Sequence, residues 1–376
     1  MIYLDNAATS FPKPEMVYLA LDLANRNLSF NAGRGGYSAA QSATDAIDCA
    51  RRAVAEIASC SSSNVAFTPS ATIAANMLIN GLDWTGNKTV YVSPYEHNAI
   101  IRPLHYCKCD VKILPFNEKH VFDLEKAEML FSDCPPDYIF ATHASNVVGC
   151  KLPIEQISKL AKVYGSKLFV DVSQTIGVFN LSDCQAADCL IFAGHKNLLG
   201  AFGVGGLINN SNLNLNVSIS GGNGSDSLNH AMPDKYPSRM EPGSANVVAI
   251  SSLSNGINWI LNKGLDSIQA HKASLIEMLI DGLSNIPFVH VYDIKKEDYS
   301  TGVISFVVDD YDVADVGSIL NDEFDIAVRT GYHCAPLVHD LLDSKKYGGT
   351  VRVSVGCFNT DADILAIINA IRSLEH

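Results

Sequence analysis

The chain has 376 residues, 47% of them hydrophobic and 18% charged, with a formal net charge of −13. This is a soluble globular composition, long enough for two cores. Lys and Arg do not cluster, which argues against nucleic acid, and no apolar run approaches the length of a membrane span.

Met1-Ile2-Tyr3-Leu4-Asp5-Asn6 lacks the basic start and long apolar stretch of a signal peptide, so a cytoplasmic location is expected. Val65-Ala66-Phe67-Thr68 reads as a strand and Thr72 to Leu82 as a helix, followed by a strand at Thr89 to Val92. Tyr138 to Thr142 is the next strand. Ile154 to Tyr164 carries helical periodicity and stops at Gly165, a C-terminal cap. Leu168 to Val170 and Leu190 to Phe192 follow as strands. This βαβα order predicts an α/β fold: a mainly parallel sheet with helices on both faces. From about 211 to 246 the chain is rich in Gly, Ser and Asn, and Gly221-Gly222-Asn223-Gly224-Ser225 is a loop, either a linker or part of a site. A helix at Val247 to Lys263 leads to a second unit. There Gly302 to Val308, Ala327 to Arg329 and Val351 to Val355 read as strands, and Val313 to Phe324 and Asp361 to Ser373 as helices. That unit is a small α+β domain.

Ten cysteines scattered through so long a chain are not a disulfide framework; most are expected to be reduced and buried. Cys107-Lys108-Cys109 is the only close pair. Without a second pair or a histidine at finger spacing, no metal site is expected.

Three strand ends run into polar residues: His143-Ala144-Ser145-Asn146, Asp171-Val172-Ser173-Gln174 and Gly194-His195-Lys196. In open α/β sheets ligands bind beyond the carboxyl ends of the strands, so these groups share one cleft. A lone lysine after a strand is usually a surface residue. Lys196, at a strand end and followed by Gly200, Gly203, Gly205 and Gly206, is placed to form an imine with pyridoxal 5'-phosphate once desolvation or a neighbouring cation keeps it partly neutral. That cofactor needs an acid at its pyridine nitrogen. Asp171 supplies one, though the same residue is equally a helix N-cap. Gln174 is within reach of the ring oxygen. The Ala71 and Thr72 amides and the Thr72 hydroxyl, at a helix start, suit a phosphate, or cap the helix in the ordinary way. His97, after the strand ending at Val92, is positioned to stack on a ring and move protons, or is structural.

In Val328-Arg329-Thr330-Gly331-Tyr332-His333-Cys334 a cysteine follows a strand end, and Arg329 and His333 beside it favour a thiolate. The other cysteines sit in contexts that suggest inert packing. Arg352 is suited to grip a carboxylate with two bonds, or forms a surface ion pair.

With these residues together the chain resembles the cysteine desulfurase family of class V, fold type I, pyridoxal phosphate enzymes. The likeness runs nearly end to end. It passes through Tyr3 to Thr9, Asn31-Ala32-Gly33-Arg34-Gly35, Glu96-His97-Asn98, Thr142 to Gly149 and Val170 to Gln174. Gly194-His195-Lys196, Glu241 to Asn246, Arg329 to Cys334 and Arg352 to Thr360 complete it. The resemblance implies a large seven-stranded cofactor domain over residues 15–250, and a small domain from 1–14 and 251–376. It implies Lys196 as the imine lysine, Asp171 on the ring nitrogen, His97 on the ring, and Gln174 near the ring oxygen. Thr72 and His195 hold the phosphate, and Ser244 reaches the phosphate of a neighbouring subunit, hence a homodimer. Asn146 and Arg352, with Arg329, orient an amino acid substrate, and Cys334 takes its sulfur as a persulfide. The short spacing from Cys334 to Arg352 matches the subgroup that relies on a partner protein to accept sulfur. Three residues depart from the common pattern: Ala193 for Ser or Thr, Ser70 for Gly and Tyr332 for His. Other readings within the enzymes are a selenocysteine lyase, an aminotransferase or an amino acid β-lyase. A cofactor-binding sulfur-transfer scaffold is the reading from another class. A dinucleotide oxidoreductase shares the fold class, but no G-x-G-x-x-G follows the first strands. The sequence does not choose between iron–sulfur cluster assembly, thiolation and selenium metabolism.

Overall fold

The computed structural model describes residues 1–33, 35–117, 121–224, 228–292 and 295–374. Arg34 of the Asn31–Gly35 segment and Ser225 of the glycine loop lie outside them.

Seven strands form the central sheet, in the order Val65–Thr68, Gly205–Asn209, Cys189–Ala193, Lys167–Asp171, Tyr138–Thr142, Lys88–Val92, Cys109–Ile113. Only Gly205–Asn209 runs against its neighbours; the sheet is otherwise parallel, as the alternating pattern predicts. The inner strands are largely apolar on both faces because both faces are covered, whereas the edge strand Cys109–Ile113 carries Asp110 and Lys112 and is mostly open. Side chains alternate between two cores, as the period of two requires. Ile139, Leu168, Val170, Leu190 and Phe192 pack with helices Ser38–Ile57, Ile154–Val163 and Val247–Lys263. Val90, Phe140, Phe169 and Ile191 pack with helices Ala71–Gly81 and Asn98–His105.

A third core belongs to a four-stranded antiparallel sheet, ordered Arg329–Gly331, Thr350–Ser354, Val303–Val308, Val289–Val291. Helices Leu265–Ser284, Val313–Phe324 and Asp361–Arg372 cover it. The expected single strand at 327–329 is in fact two. Ile326–Ala327 pairs in parallel with Ile2–Tyr3 at the N-terminus, and after Val328 the chain changes sheets so that Arg329–Gly331 pairs with Thr350–Ser354. Two partners compete for one short segment, and each takes half.

The 211–246 segment is irregular among its described residues, apart from a single turn of 3₁₀ helix at Ser238–Met240. No described helix is long and apolar enough to cross a membrane. All ten cysteines are unpaired, but only Cys184 and Cys189 are fully buried. The expectation that most are buried therefore fails: seven are half-buried and Cys49 is exposed. The thiols of Cys60, Cys107, Cys109, Cys150, Cys184, Cys189 and Cys357 are all pushed up by burial, which suits inert packing.

Candidate active site

Parallel pairing sets Thr142 beside Asp171, and Asp171 beside Ile191, so the three polar strand ends emerge side by side. Lys196 is only partly accessible. Burial pulls its amine below the ordinary value; the Asp171 charge opposes this, while Arg352 and Arg329 reinforce it. The lysine therefore sits in a field that favours a neutral, nucleophilic amine. His97 belongs to the same cluster. Burial, and next the Lys196 charge, push it down to about 4, against the pull of Asp171. It caps helix Asn98–His105, its Nδ1 accepting from the Ala99 N–H at 3.0 Å. The ring is thus neutral, with its orientation fixed by the helix start.

Asp171 Oδ1 accepts from the Ser173 amide at 2.8 Å. Gln174 is buried and donates from Nε2 to the Ala7 carbonyl at 3.0 Å. Its own backbone carbonyl accepts from Asn197 Nδ2 at 2.7 Å, and Asn197 Oδ1 accepts from Lys272 Nζ at 3.1 Å.

The expected phosphate turn is Thr68 to Thr72. Ser70 caps the helix, its Oγ accepting from Ile73 N–H at 3.2 Å, so the serine that departs from the common glycine has a local role. Strand Gly205–Asn209 presses against this turn. A Cβ on Gly205 would lie 2.6 Å from Ala71 N and 2.8 Å from Phe192 O, so only glycine fits. Thr72 is exposed at the helix start. His195 has a buried Nδ1 with no partner, and its ring stacks on Phe202 with centroids 4.7 Å apart. Burial, then the Lys196 charge, push it down to about 4. An unpartnered buried ring nitrogen next to the lysine and an open helix N-terminus suit an anionic group such as a phosphate ester. Ala193, buried at the strand end, offers no hydroxyl to it. Ser244 stands apart from the charge cluster. It is exposed on its loop and lines a cavity of about 670 Å³ with Thr68, Gly203 and Asn246.

The thiol loop is held on several sides. His333 and Cys334 both have left-handed backbones, φ +48° and +58°, each costing about 1–3 kcal/mol in a non-glycine residue. Asn146 Nδ2 donates to the His333 carbonyl at 2.9 Å, and the Asn98 amide donates to the Cys334 carbonyl at 2.7 Å. His333 Nε2 bonds Thr350 Oγ1 at 2.8 Å. Arg329 Nη2 donates to Cys334 Sγ at 3.1 Å. One helix start thus supplies both His97 and an anchor for Cys334. Tyr332 is half exposed, edge-on to His339.

Arg352 is fully buried. Its Nη1 donates to the Asn146 carbonyl at 2.9 Å, its Nη2 pairs with Asp5 Oδ1, and its Nε has no partner. The sequence reading attached no role to Asp5 or to Glu96, although both stand in the segments that carry the resemblance. Glu96 is fully buried between the ends of two strands, its Oε1 accepting from Ser93 Oγ and the Thr142 amide. Burial, with Asp171 nearby, pushes it up to about 8. Outside the site, His143, Asp183 and Cys184 converge, but both ring nitrogens of His143 are already bonded, to Thr175 Oγ1 and Asp183 Oδ2.

The aminotransferase class-V family model matches residues 2–367. A probable cysteine desulfurase of Methanothermobacter thermautotrophicus is 30% identical over 96% of this chain and 92% of its own length. Among solved structures, the apo cysteine desulfurase of Thermococcus onnurineus is similar with a TM-score of 0.89 at 27% identity, covering 99% of this chain and 94% of that one. The cysteine desulfurase CsdA of Escherichia coli is similar with a TM-score of 0.85 at 25% identity, covering 100% and 94%.

Proposed function

The chain belongs to the aminotransferase class-V family, and we propose that it is a cysteine desulfurase, converting L-cysteine to L-alanine and carrying the sulfur as a persulfide on Cys334. The observation that carries this reading is the Cys334 thiol, paired with Arg329 at 3.1 Å and tied through its own carbonyl to the helix start that bears His97. An aminotransferase has no need of a thiol held in this way.

Pyridoxal 5'-phosphate fits the residues present, and when bound it supplies an electron sink for the substrate's Cα. Lys196 would hold it, and the Lys196 Nζ would take the Cα proton of the substrate. Asp171 would hold the ring nitrogen protonated, Gln174 would bond the ring oxygen, and His97 would stack on the ring. The Ala71 and Thr72 amides, the Thr72 hydroxyl and His195 take the phosphate. Asn146, Arg352 and Arg329 orient the substrate carboxylate. The Arg329 guanidinium fixes the Cys334 sulfur through its 3.1 Å bond, and this sulfur attacks that of the substrate. An S–S bond forms as the substrate's C–S bond breaks; the electron pair stays on the carbon fragment, which is protonated and leaves as alanine.

Ser244 sits on an exposed loop lining a cavity, which supports a homodimer in which it completes the partner's phosphate site. A protein acceptor removes the sulfur, and unpaired cysteines suit a reducing cytoplasm. The expected division, residues 15–250 as the cofactor domain with 1–14 and 251–376 as the small one, needs one correction: helix Val247–Lys263 packs along its length on the large sheet through Leu253, Ile257 and Ile260, so the boundary falls after it.

The test is an amino acid panel assayed for alanine and sulfide, with wild type and Cys334→Ala side by side. The variant should stay yellow with cofactor but release no alanine from cysteine. Undiminished turnover would reject the role of Cys334, and turnover of selenocysteine alone would make the protein a selenocysteine lyase.

A further inference from the structure

We infer that Asp5 occupies the place on Arg352 that the substrate's carboxylate takes, so that this N-terminal side chain sets substrate affinity by competition. The inference rests on the reading of Arg352 as the carboxylate-binding group.

A guanidinium has five N–H donors, and its Nε and Nη2 share the edge that a carboxylate grips with two parallel bonds. In Arg352 that edge is half used. Asp5 Oδ1 takes Nη2, while Nε is buried without a partner. The guanidinium has no exposed surface, so bulk solvent does not reach that donor. On the far side, Nη1 donates to the Asn146 carbonyl. A substrate carboxylate with one oxygen on each donor satisfies the edge better than Asp5 does.

Asp5 is able to leave. Its side chain is 21% exposed, against none for Arg352. Its backbone is held separately, through its bridge to Ser354 and the Tyr3 hydroxyl on its carbonyl at 3.0 Å. The side chain turns out without moving the strand. The local charge also favours exchange over simple loss. Arg329 faces Arg352 across the antiparallel pair, so a second guanidinium stands beside the Asp5–Arg352 pair. A departing Asp5 therefore leaves a cationic hole that selects amino acids with a free carboxylate and rejects their amides.

The test is Asp5→Asn, which keeps the shape and removes the charge. KM for L-cysteine should fall about tenfold, the size of one charge-assisted hydrogen bond, with kcat within about twofold. Acetate and L-alanine should raise the thermal midpoint of the variant more than that of wild type. A KM that stays level or rises, or equal stabilisation of both proteins by acetate, overturns the inference. Should the variant not fold, wild type decides the question: L-alanine should shift its midpoint and L-alaninamide should not, and equal shifts refute the competition. The acetate arm needs no turnover. A wild type that makes no alanine from cysteine sinks the desulfurase reading while the acetate comparison still judges Asp5.

Discussion

Lys272, on helix Leu265–Ser284, is 2% exposed, and its ammonium meets only neutral acceptors, Asn197 Oδ1 at 3.1 Å and the Thr301 carbonyl at 3.2 Å. No carboxylate among the described residues pairs with it. Burial therefore pulls it from 10.5 down to about 8, opposed only by Cys357. At 1.36 kcal/mol per tenfold change in acidity, that gap is worth about 3 kcal/mol. The sign follows from proton counting. Between these two values the unfolded chain holds a proton that the folded chain has lost, so stability rises with pH through that window. Below about 8 the full penalty applies. Lys272→Met removes the titration. Wild type should therefore gain about 2 kcal/mol over the variant between pH 7.5 and 9.5. Urea unfolding followed by the fluorescence of Trp84 and Trp259 measures it. Curves that run parallel across that interval refute the argument.

Glu96 predicts the opposite slope at lower pH. The folded chain keeps its proton up to about 8 while the unfolded chain releases it at 4.5, so stability falls as pH rises through that range. Glu96→Gln should remove about 2 kcal/mol of that fall between pH 5.5 and 7.5, read from unfolding midpoints, and an unchanged slope counts against a protonated Glu96. Gly205→Ala drives a methyl group to 2.6 Å from the Ala71 amide nitrogen, a backbone atom with nowhere to go. It should cost about 1–3 kcal/mol and loosen the phosphate turn, seen as a lower thermal midpoint and cofactor lost on gel filtration. A variant that keeps both midpoint and colour contradicts the close approach.

The sheet was legible where periodicity and length agreed. Strands Val65–Thr68 and Tyr138–Thr142 and helices Val247–Lys263 and Val313–Phe324 lie where the pattern places them. Strand Gly205–Asn209 escaped, because Gly-Gly lowers strand propensity; the glycines are there for close packing against Ala71 and Phe192. Helix Leu265–Ser284 was also missed, despite an apolar stripe of Ile268, Leu275, Ile276 and Leu279. In the site, Lys196, Asp171, His97 and Cys334 were legible only together: polar residues cap strands routinely, and the signal lay in several such ends of one parallel sheet carrying complementary groups. Asp5 was not legible. An aspartate just past a two-residue N-terminal strand has no local signature, and its partner lies 347 residues away. The same holds for Lys272, whose lipophilic helix gives no hint that its amine reaches Asn197.

Strand Ile2–Tyr3 has no sheet to join until Ile326–Ala327 exists, and Asp5 has no guanidinium until Arg352 does. During synthesis the ribosome makes the opening residues of the pocket first and their counterparts last. Every strand of the seven-stranded sheet is made before either counterpart, so the opening residues are the last part of the fold to find their native partners.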